Sequence, residues 1–261
     1  MVVSIGIPLE ENSSFLKGAA QAPQKIREAF HSDSSNKFSE NGIDLGTDTR
    51  WKDLGDLVLS GMPESFTEIE QAIDKQIQTG NKVLSLGGDH SISYPIIKAV
   101  AKKYRHLNIL HLDAHADLYD SFEGSKFSHA CPFARVMEEG LAARLVQVGI
   151  RTLNTHQREQ ANKFGVEIIE MKDWKDDVSL KFAGPLYISL DLDVLDPAFV
   201  PGVSHYEPGG FTTRQVLNII QKVQGDLVGA DIVEYNPSRD QHNVTAMVAA
   251  KFMKEFLARL L

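Results

Sequence analysis

The segment from Leu107 to Asp117 reads LNILHLDAHAD, an apolar run followed by a cluster of histidine and aspartate. The apolar half has the composition of a buried strand. Asp113, His115 and Asp117 occupy alternate positions, and alternate side chains of an extended segment point to one face. Carboxylates this close together repel one another unless a cation lies between them. The segment therefore predicts a core strand whose end carries three metal ligands.

Apolar runs of strand length alternate with helical patterns along the rest of the chain. Such alternation is typical of a parallel sheet with helices on both faces. We expect an α/β fold with three α-β-α layers and a mostly parallel central sheet, formed by residues 1–261 as a single domain. Strands are predicted at 2–8, 82–86, 107–110, 145–150, 166–171, 185–195 and 227–233, and helices near 22–30, 66–77, 94–104, 155–164, 212–224 and 244–261.

Polar residues follow several of these strands at the point where each strand ends. His90 follows one strand, and Glu234 ends another. Asp191 and Asp193 lie at the end of a third. In a parallel sheet the carboxyl ends of the strands share one edge, and binding sites lie there. We therefore expect these side chains to meet the cluster at 113–117.

The predicted metal ligands are two histidines and four aspartates: His90, Asp113, His115, Asp117, Asp191 and Asp193. Oxygen ligands with some imidazole favour Mn²⁺, Mg²⁺ or Fe²⁺ over a structural zinc site, which prefers thiolates. Four carboxylates are too many for one divalent ion, whereas a pair of ions with bridging carboxylates fits the charge. Such a pair lowers the pKa of a shared water and provides hydroxide at neutral pH. The sequence therefore predicts a metal-activated hydrolase.

Composition restricts the class of partner and the compartment. The formal net charge of −8 argues against nucleic acid and is compatible with a small cationic substrate. No apolar run is long enough for a membrane span, and the first residues lack the features of a signal peptide. Cys131 is the only cysteine, so no internal disulfide can form, and we expect a reducing cytoplasmic compartment.

Four motifs resemble those of the ureohydrolases, the arginase and agmatinase family, and the likeness extends over nearly the whole chain. They are GGDH at 87–90, DAHAD at 113–117, SLDLDVLDP at 189–197 and EPGG at 207–210. Further stretches look closest to the plant-type arginases. These are NSSFL at 12–16, FEGSKFSHA at 122–130, PGVSHYEPGG at 201–210 and MVAAK at 247–251.

The resemblance implies two manganese ions per subunit and divides the ligands between them. His90, Asp113, Asp117 and Asp191 would hold one ion, and Asp113, His115, Asp191 and Asp193 the other. Asp113 and Asp191 would therefore bridge the two ions. The family also implies a homo-oligomer, a trimer or hexamer.

The same resemblance implies three catalytic residues. His129 matches the family's proton-transfer histidine, and a group with a pKa near neutrality suits that role. Glu234 would bind the guanidinium of the substrate, because a carboxylate matches its forked N–H donors. Asp117 would orient the attacking hydroxide. His111, deeper in its strand, is expected to be a core histidine, and Asp231 to support its neighbours.

The substrate is expected to be a guanidino compound that is cleaved to urea and an amine. The plant-type likeness favours L-arginine, which gives L-ornithine, over agmatine, which gives putrescine; other guanidino acids are further alternatives. L-Arginine and agmatine differ by one carboxylate. An enzyme that distinguishes them needs hydrogen-bond donors on the loops at the rim of the substrate pocket. Four residues are candidates for the rim by placement: Tyr119, Ser125, Ser128 and His205, of which Ser125 and His205 are expected to bind substrate.

Two other functional classes are compatible with these motifs. One is a metal-binding scaffold without turnover, although the ligand set together with His129 and Glu234 argues against it. The other is a zinc-dependent deacetylase, which can share this architecture. A deacetylase would need only one ion, so two ions per subunit would exclude it.

Overall fold

The computed structural model describes all 261 residues, and its eight strands form one sheet. The strands are β1 (Val2–Ile7), β2 (Trp51–Asp56), β3 (Lys82–Gly87), β4 (Asn108–Leu112), β5 (Arg144–Ile150), β6 (Glu167–Glu170), β7 (Lys181–Asp191) and β8 (Gln224–Val233). They pair in the order β2-β1-β3-β8-β7-β4-β5-β6, and every pair is parallel. The predicted sheet is thus confirmed, and it is parallel throughout.

Seven α-helices cover both faces of this sheet. They are α1 (Ala22–Phe30), α2 (Glu64–Gln78), α3 (Ser93–Lys103), α4 (Pro132–Glu138), α5 (Thr155–Phe164), α6 (Thr213–Lys222) and α7 (Val244–Leu260). One hydrophobic cluster packs α1, α6 and α7 against the sheet, and a second packs α2, α3, α4 and α5 against the other face. The three-layer α-β-α prediction is therefore confirmed. None of the helices combines the length and the apolar character needed to cross a membrane.

Two elements, β2 and α4, were not predicted from the sequence. The strand β2 lies at the edge of the sheet and pairs only with β1. Its residues alternate between half-buried and exposed, so its sequence, WKDLGD, has little of the apolar character of a core strand. The helix α4 has only seven residues, fewer than two full turns of amphipathic pattern need.

The predicted metal ligands do not lie on extended strands, so the expected alternation of their side chains was wrong. The strand β4 ends at Leu112, so the whole DAHAD segment lies in the following loop, and Asp117 has a φ of 51°. The strand β7 ends at Asp191, and residues 192–194 form a 3-10 turn rather than more strand. Turns at the strand ends, and not the period of an extended chain, therefore bring the ligands to one side.

Candidate metal centre

The predicted ligands and Glu234 follow four adjacent strands in the middle of the sheet, in the order β3, β8, β7 and β4. His90 lies just after β3, and Glu234 directly follows β8. Asp191 ends β7, and the 113–117 segment follows β4. All four strands are parallel, so these side chains lie at the same edge of the sheet.

His90 lies at the centre of the first group of ligands. Its Nδ1 atom is 3.1 Å from a carboxylate oxygen of each of Asp113, Asp117 and Asp191. The ring is fully buried, yet Nδ1 has no hydrogen-bond partner. A buried imidazole nitrogen costs free energy when it lacks a partner. An unpartnered nitrogen that faces three carboxylates therefore fits a divalent cation held by all four residues.

His115 and Asp193 form the second group, together with Asp113. The Nδ1 atom of His115 is 2.9 Å from Oδ2 of Asp193 and 3.5 Å from Oδ1 of Asp113. Asp113 faces His90 through Oδ2 and His115 through Oδ1, so its two oxygens point into different groups. This geometry supports a bridging position for Asp113. The bridging role of Asp191 stays a prediction.

His111 also lies beside Asp113, but both of its ring nitrogens have protein partners. Nε2 is 2.7 Å from Oδ2 of Asp113, and Nδ1 accepts a hydrogen bond of 2.9 Å from the Gln147 amide. Because Nδ1 accepts, Nε2 carries the proton and donates it to the carboxylate. The ring also stacks on Phe133 at 3.9 Å. His111 therefore orients a ligand from within the core, as a buried histidine.

Burial and crowding change the pKa values of the ligands. Burial, followed by the charges of Asp193 and Asp113, raises the pKa of Asp191 well above its usual range. Burial alone would lower the pKa of His90, but its carboxylate neighbours outweigh burial and raise that pKa well above the usual value. Without a cation, these shifts favour the protonated forms of His90 and Asp191, so that binding of a metal ion would release protons.

The affinity of the centre for divalent metal is accordingly expected to rise with pH. The raised pKa values of His90 and Asp191 mean that both groups keep protons at a pH where they would ordinarily lose them. Lowering the pH stabilises this protonated state, and raising the pH favours the metal-bound one. Metal titrations between pH 6 and 9, with proton release measured in two buffers, would check this. An affinity independent of pH would contradict it.

A buried hydrogen-bond network orients His90 from behind. Its Nε2 atom is 3.0 Å from Oγ of Ser189, which donates to Oδ1 of Asp231 at 2.7 Å. The other oxygen of Asp231 accepts hydrogen bonds of 2.8 Å from Ser93 and from Tyr187. With Ser189 donating to Asp231, Nε2 of His90 donates to Ser189, and this contact directs Nδ1 towards the carboxylates. Asp231 thus supports its neighbours, as the sequence predicts.

Replacing Asp231 by asparagine is expected to weaken metal binding by about 10- to 100-fold, the usual effect of removing a partner behind a metal-binding histidine. The amide cannot accept all three of the hydroxyl hydrogen bonds that the carboxylate accepts. Asp226→Asn on the same strand is the matched control, because that side chain is 69% exposed. Competition with a fluorescent chelator measures both affinities, and equal values for the two variants would refute this role of Asp231.

Glu234 and His129 lie next to the metal ligands and contact each other. Oε1 of Glu234 is 2.8 Å from Nδ1 of His129 and accepts a 2.8 Å hydrogen bond from the backbone N–H of His90. Glu234 has a φ of 63°, a strained conformation for a non-glycine residue, and these contacts offset its cost. Burial lowers the pKa of His129, but the Glu234 carboxylate outweighs it and raises that pKa to about 9.

The loop after β1 contacts His129 from the opposite side, which the sequence analysis did not predict. Ser14 approaches Nε2 of His129 with its hydroxyl at 2.8 Å and its backbone N–H at 3.2 Å. The same loop holds the backbone N–H of His129 through the carbonyl of Asn12 at 3.1 Å. Two signals were present in the sequence: the NSSFL motif, and the position of this polar loop directly after the first strand.

Gly88 of the GGDH motif allows this loop to come close to β3. Its N–H donates to the carbonyl of Ile7 at 3.0 Å. A Cβ atom at this position would lie only 1.8 Å from the carbonyl oxygen of Leu9. Any side chain at residue 88 would therefore displace the loop from His129. Asp89 also fixes the loop, because its carboxylate accepts hydrogen bonds from Asn12 and Ser13.

A cavity of about 230 Å³ opens over the metal ligands. Its lining residues are Ser14, His115, Asp117, Tyr119, Phe122, His129, Ala130, Thr152, Gln157, Asp191, Asp193, His205, Glu207 and Glu234. His205 and Tyr119 are therefore at the cavity, as predicted for the rim. Burial, followed by the charge of His129, lowers the pKa of His205.

Ser125 does not line this cavity, so its predicted place at the rim of the pocket was wrong. Its side chain is exposed, and its hydroxyl accepts a hydrogen bond from the backbone N–H of Phe127 within its own turn. Ser128 is buried and does not line the cavity either. Both serines lie in the segment between Asp117 and His129, and the turn around Ser125 directs its side chain to solvent.

The cavity has further residues that sequence reasoning did not identify. Gln157 is buried, and its Oε1 atom has no hydrogen-bond partner. Glu207 lies at 3.8 Å from Nε2 of His115. Arg151 does not line the cavity, but it donates to the carbonyls of Asp193, at 2.7 Å, and of Glu207, at 2.6 Å, and so joins the turn after β7 to the EPGG loop. No local motif marks an arginine that binds only backbone carbonyls.

Comparison with known proteins identifies the family. The model of the Arginase family matches residues 1–258. The chain is 46% identical to "Arginase 2, chloroplastic/mitochondrial" of Arabidopsis thaliana, over 98% of this chain and 79% of that protein. It is 33% identical to an agmatinase of Bacillus anthracis, over 98% and 90%. The solved arginase of Medicago truncatula superposes with a TM-score of 0.94 at 43% identity, over 99% of this chain and 87% of that one. The chain therefore belongs to the arginase family.

Proposed function

We propose that the protein is a manganese-dependent arginase that hydrolyses L-arginine to L-ornithine and urea. The observation that carries this proposal is the position of Asp113, whose two carboxylate oxygens face two different groups of metal ligands. Glu234 and His129 line the cavity above these groups. The greater similarity of the chain to plant arginases than to an agmatinase supports arginine as the substrate.

Two manganese ions per subunit fit the donors of the centre, which are mainly carboxylate oxygens. His90, Asp113, Asp117 and Asp191 would hold one ion, and Asp113, His115, Asp191 and Asp193 the other. When bound, such a pair lowers the pKa of water and so provides hydroxide at neutral pH. Metal analysis of the purified protein should give two ions per chain. A single ion would instead favour a deacetylase-like site.

The surrounding residues bind the guanidinium and orient the attacking water. Oε1 of Glu234 already contacts His90 and His129, which leaves Oε2 for the N–H donors of the substrate. The buried carboxylate balances the positive charge of the guanidinium. Asp117, itself one of the proposed ligands, lines the cavity and would accept a hydrogen bond from the attacking water. His129, whose pKa the Glu234 carboxylate raises, would supply a proton to the leaving amine.

Agmatine is the second candidate substrate, and one observation favours it. The cavity lining contains no lysine or arginine, whereas Glu207 adds a carboxylate near the mouth. The α-carboxylate of arginine would therefore have only uncharged or histidine donors as partners. Agmatine lacks that carboxylate and would not need them.

A steady-state comparison of arginine, agmatine and guanidinobutyrate with the manganese-loaded protein tests the proposal. We expect urea from all active substrates, with the highest kcat/KM for arginine. A higher kcat/KM for agmatine would make the protein an agmatinase. Two bound ions without urea from any of the three compounds would make it a metal-binding scaffold.

We also propose that the protein forms a homo-oligomer, a trimer or hexamer, as the family resemblance implies. Light scattering on the eluting protein gives a mass that can be compared with multiples of the 28.9 kDa chain. A monomer mass at the concentration of the activity assay would contradict this.

A further inference from the structure

Gln147 is a fully buried glutamine on β5 that contacts the surroundings of the metal centre without being one of its proposed ligands. It lies opposite His111 in the sheet, because β5 pairs with β4. Its Nε2 atom donates hydrogen bonds of 2.9 Å to Nδ1 of His111 and of 2.6 Å to the carbonyl of Ala116. No other protein group donates to that carbonyl. One amide therefore holds both the histidine beside Asp113 and the backbone just before Asp117.

The carbonyl of Ala116 determines which way the amide of Gln147 faces. If the amide were turned over, Oε1 would take the place of Nε2, and two oxygens would lie together with no proton between them. The NH₂ group must therefore face the loop, where both of its hydrogens are used. Nδ1 of His111 is then an acceptor, so the proton of that ring lies on Nε2, at 2.7 Å from Oδ2 of Asp113.

This proton contacts the carboxylate that faces both groups of metal ligands. Oδ2 of Asp113 lies beside His111 and is also 3.1 Å from Nδ1 of His90, whereas Oδ1 faces His115. If the proton of His111 were on Nδ1 instead, Nε2 would present a lone pair to Oδ2, and the two atoms would repel each other. The amide of Gln147 thus keeps Asp113 in the position from which it can serve both groups.

The second hydrogen bond of the amide holds the peptide bond that leads into Asp117. Asp117 has a φ of 51°, which costs free energy in a residue other than glycine. Such a conformation persists only where neighbouring contacts determine it. The hydrogen bond from Gln147 to the carbonyl of Ala116 is one of these contacts. It therefore affects where Asp117 places Oδ2, which is 3.1 Å from Nδ1 of His90.

The oxygen of the same amide indicates that Gln147 does more than fill the core. Oε1 is buried and has no hydrogen-bond partner. Buried polar groups nearly always have partners, because an unpaired one costs about 1 to 3 kcal/mol. The stability of the core alone therefore does not explain a glutamine at this position. The two contacts that Nε2 makes to the ligand segment do explain it.

We propose that Gln147 is a positioning residue that raises the affinity of the centre for divalent metal. It acts on Asp113 through the ring of His111 and on Asp117 through the carbonyl of Ala116. This role rests on the proposed function, because it requires that the centre binds manganese. Gln147 does not line the cavity, so it contacts neither the substrate nor the attacking water.

Replacing Gln147 by methionine keeps the length of the side chain and removes both N–H groups. We expect the manganese affinity of the metal-free protein, measured by competition with a fluorescent chelator, to fall about 10- to 100-fold. The manganese concentration for half-maximal urea release should rise by the same factor, with the KM for substrate unchanged. A loss of folded protein would instead lower the maximal rate at an unchanged manganese concentration. Gln160→Met is the matched control, because Gln160 is a buried glutamine on α5 that does not line the cavity.

Nitrogen NMR of the metal-free, unmodified protein tests the direction of the hydrogen bond itself. The ring signals of His111 are the ones that disappear in the variant His111→Phe. We expect Nε2 of His111 to carry a proton and Nδ1 to carry none. A proton on Nδ1, with or without one on Nε2, would overturn the proposed role, because Nδ1 could not then accept from Gln147.

A double variant tests whether Gln147 acts through His111. The losses of manganese affinity in Gln147→Met and His111→Phe should be less than additive when the two are combined, because both remove the same contact to Asp113. Fully additive losses, or an unchanged affinity of Gln147→Met, would overturn the positioning role and leave the proposed function intact. If the unmodified protein bound no manganese, the proposed function itself would fail.

Discussion

Replacing Asp117 by alanine is expected to abolish detectable urea release and to remove metal from the first group of ligands. Oδ2 of Asp117 is one of only three carboxylate oxygens at 3.1 Å from Nδ1 of His90. Losing a ligand and the orientation of the attacking water together should cost about 4 kcal/mol or more of transition-state stabilisation, which is about 10³-fold or more in rate. Urea assays at saturating manganese, combined with metal analysis, measure both losses.

A carboxylate just outside the cavity provides the control for Asp117. Asp120 is three residues away, and its side chain is 60% exposed. Asp120→Asn should keep both the activity and two bound ions. If Asp117→Ala also kept full activity and two ions, its assignment as a metal ligand would be wrong.

Glu234→Gln is expected to lower kcat/KM about as strongly as Asp117→Ala does, but to leave the metal ions in place. The neutral amide cannot balance a guanidinium charge, and breaking a buried charge pair costs about 3 to 5 kcal/mol, or about 10²- to 10⁴-fold in kcat/KM. The variant also loses the carboxylate that raises the pKa of His129 to about 9. The limb of the pH–rate profile that reports this group should therefore move to lower pH.

Glu255→Gln is the matched control for a buried glutamate outside the site. Glu255 is 2% exposed and accepts hydrogen bonds from the backbone N–H of Glu40 and from Lys251, both at 2.8 Å. Its replacement should lower the melting temperature without changing kcat/KM. A Glu234→Gln variant with an unchanged kcat/KM for arginine would exclude Glu234 from substrate binding.

The sequence could predict which side chains come together because the topology, and not local conformation, brings them to one edge of the sheet. His90, Asp113 and Asp191 follow different strands, and parallel strands place their carboxyl ends at one edge whatever the turns between them. The conformation of each turn was beyond such reasoning. The left-handed φ of Asp117 and the 3-10 turn after Asp191 have no signal in the alternation of polar and apolar residues.

Residues were harder to predict when their partners are backbone groups or lie far away along the chain. Ser14 lies 115 positions from His129, and the edge strand β2 depends on pairing with β1 alone. Arg151 binds carbonyl groups, which every residue possesses, so no partner residue marks its role. Ser125 was predicted at the rim of the pocket only because it is close to the ligands along the chain. In the structure, a local turn directs its side chain to solvent.

The two carboxylate oxygens of Asp113, which face different groups of ligands, have a consequence for the order in which metal ions bind. One carboxylate that serves both groups makes their occupancies thermodynamically linked. In the proposed two-ion centre, an ion on the side of His90 would change how the other oxygen of Asp113 binds a second ion, and reciprocity would require the second ion to change the affinity of the first by the same factor. The half-loaded protein would then be a distinct species, and the concentration of manganese would set how much of it is present.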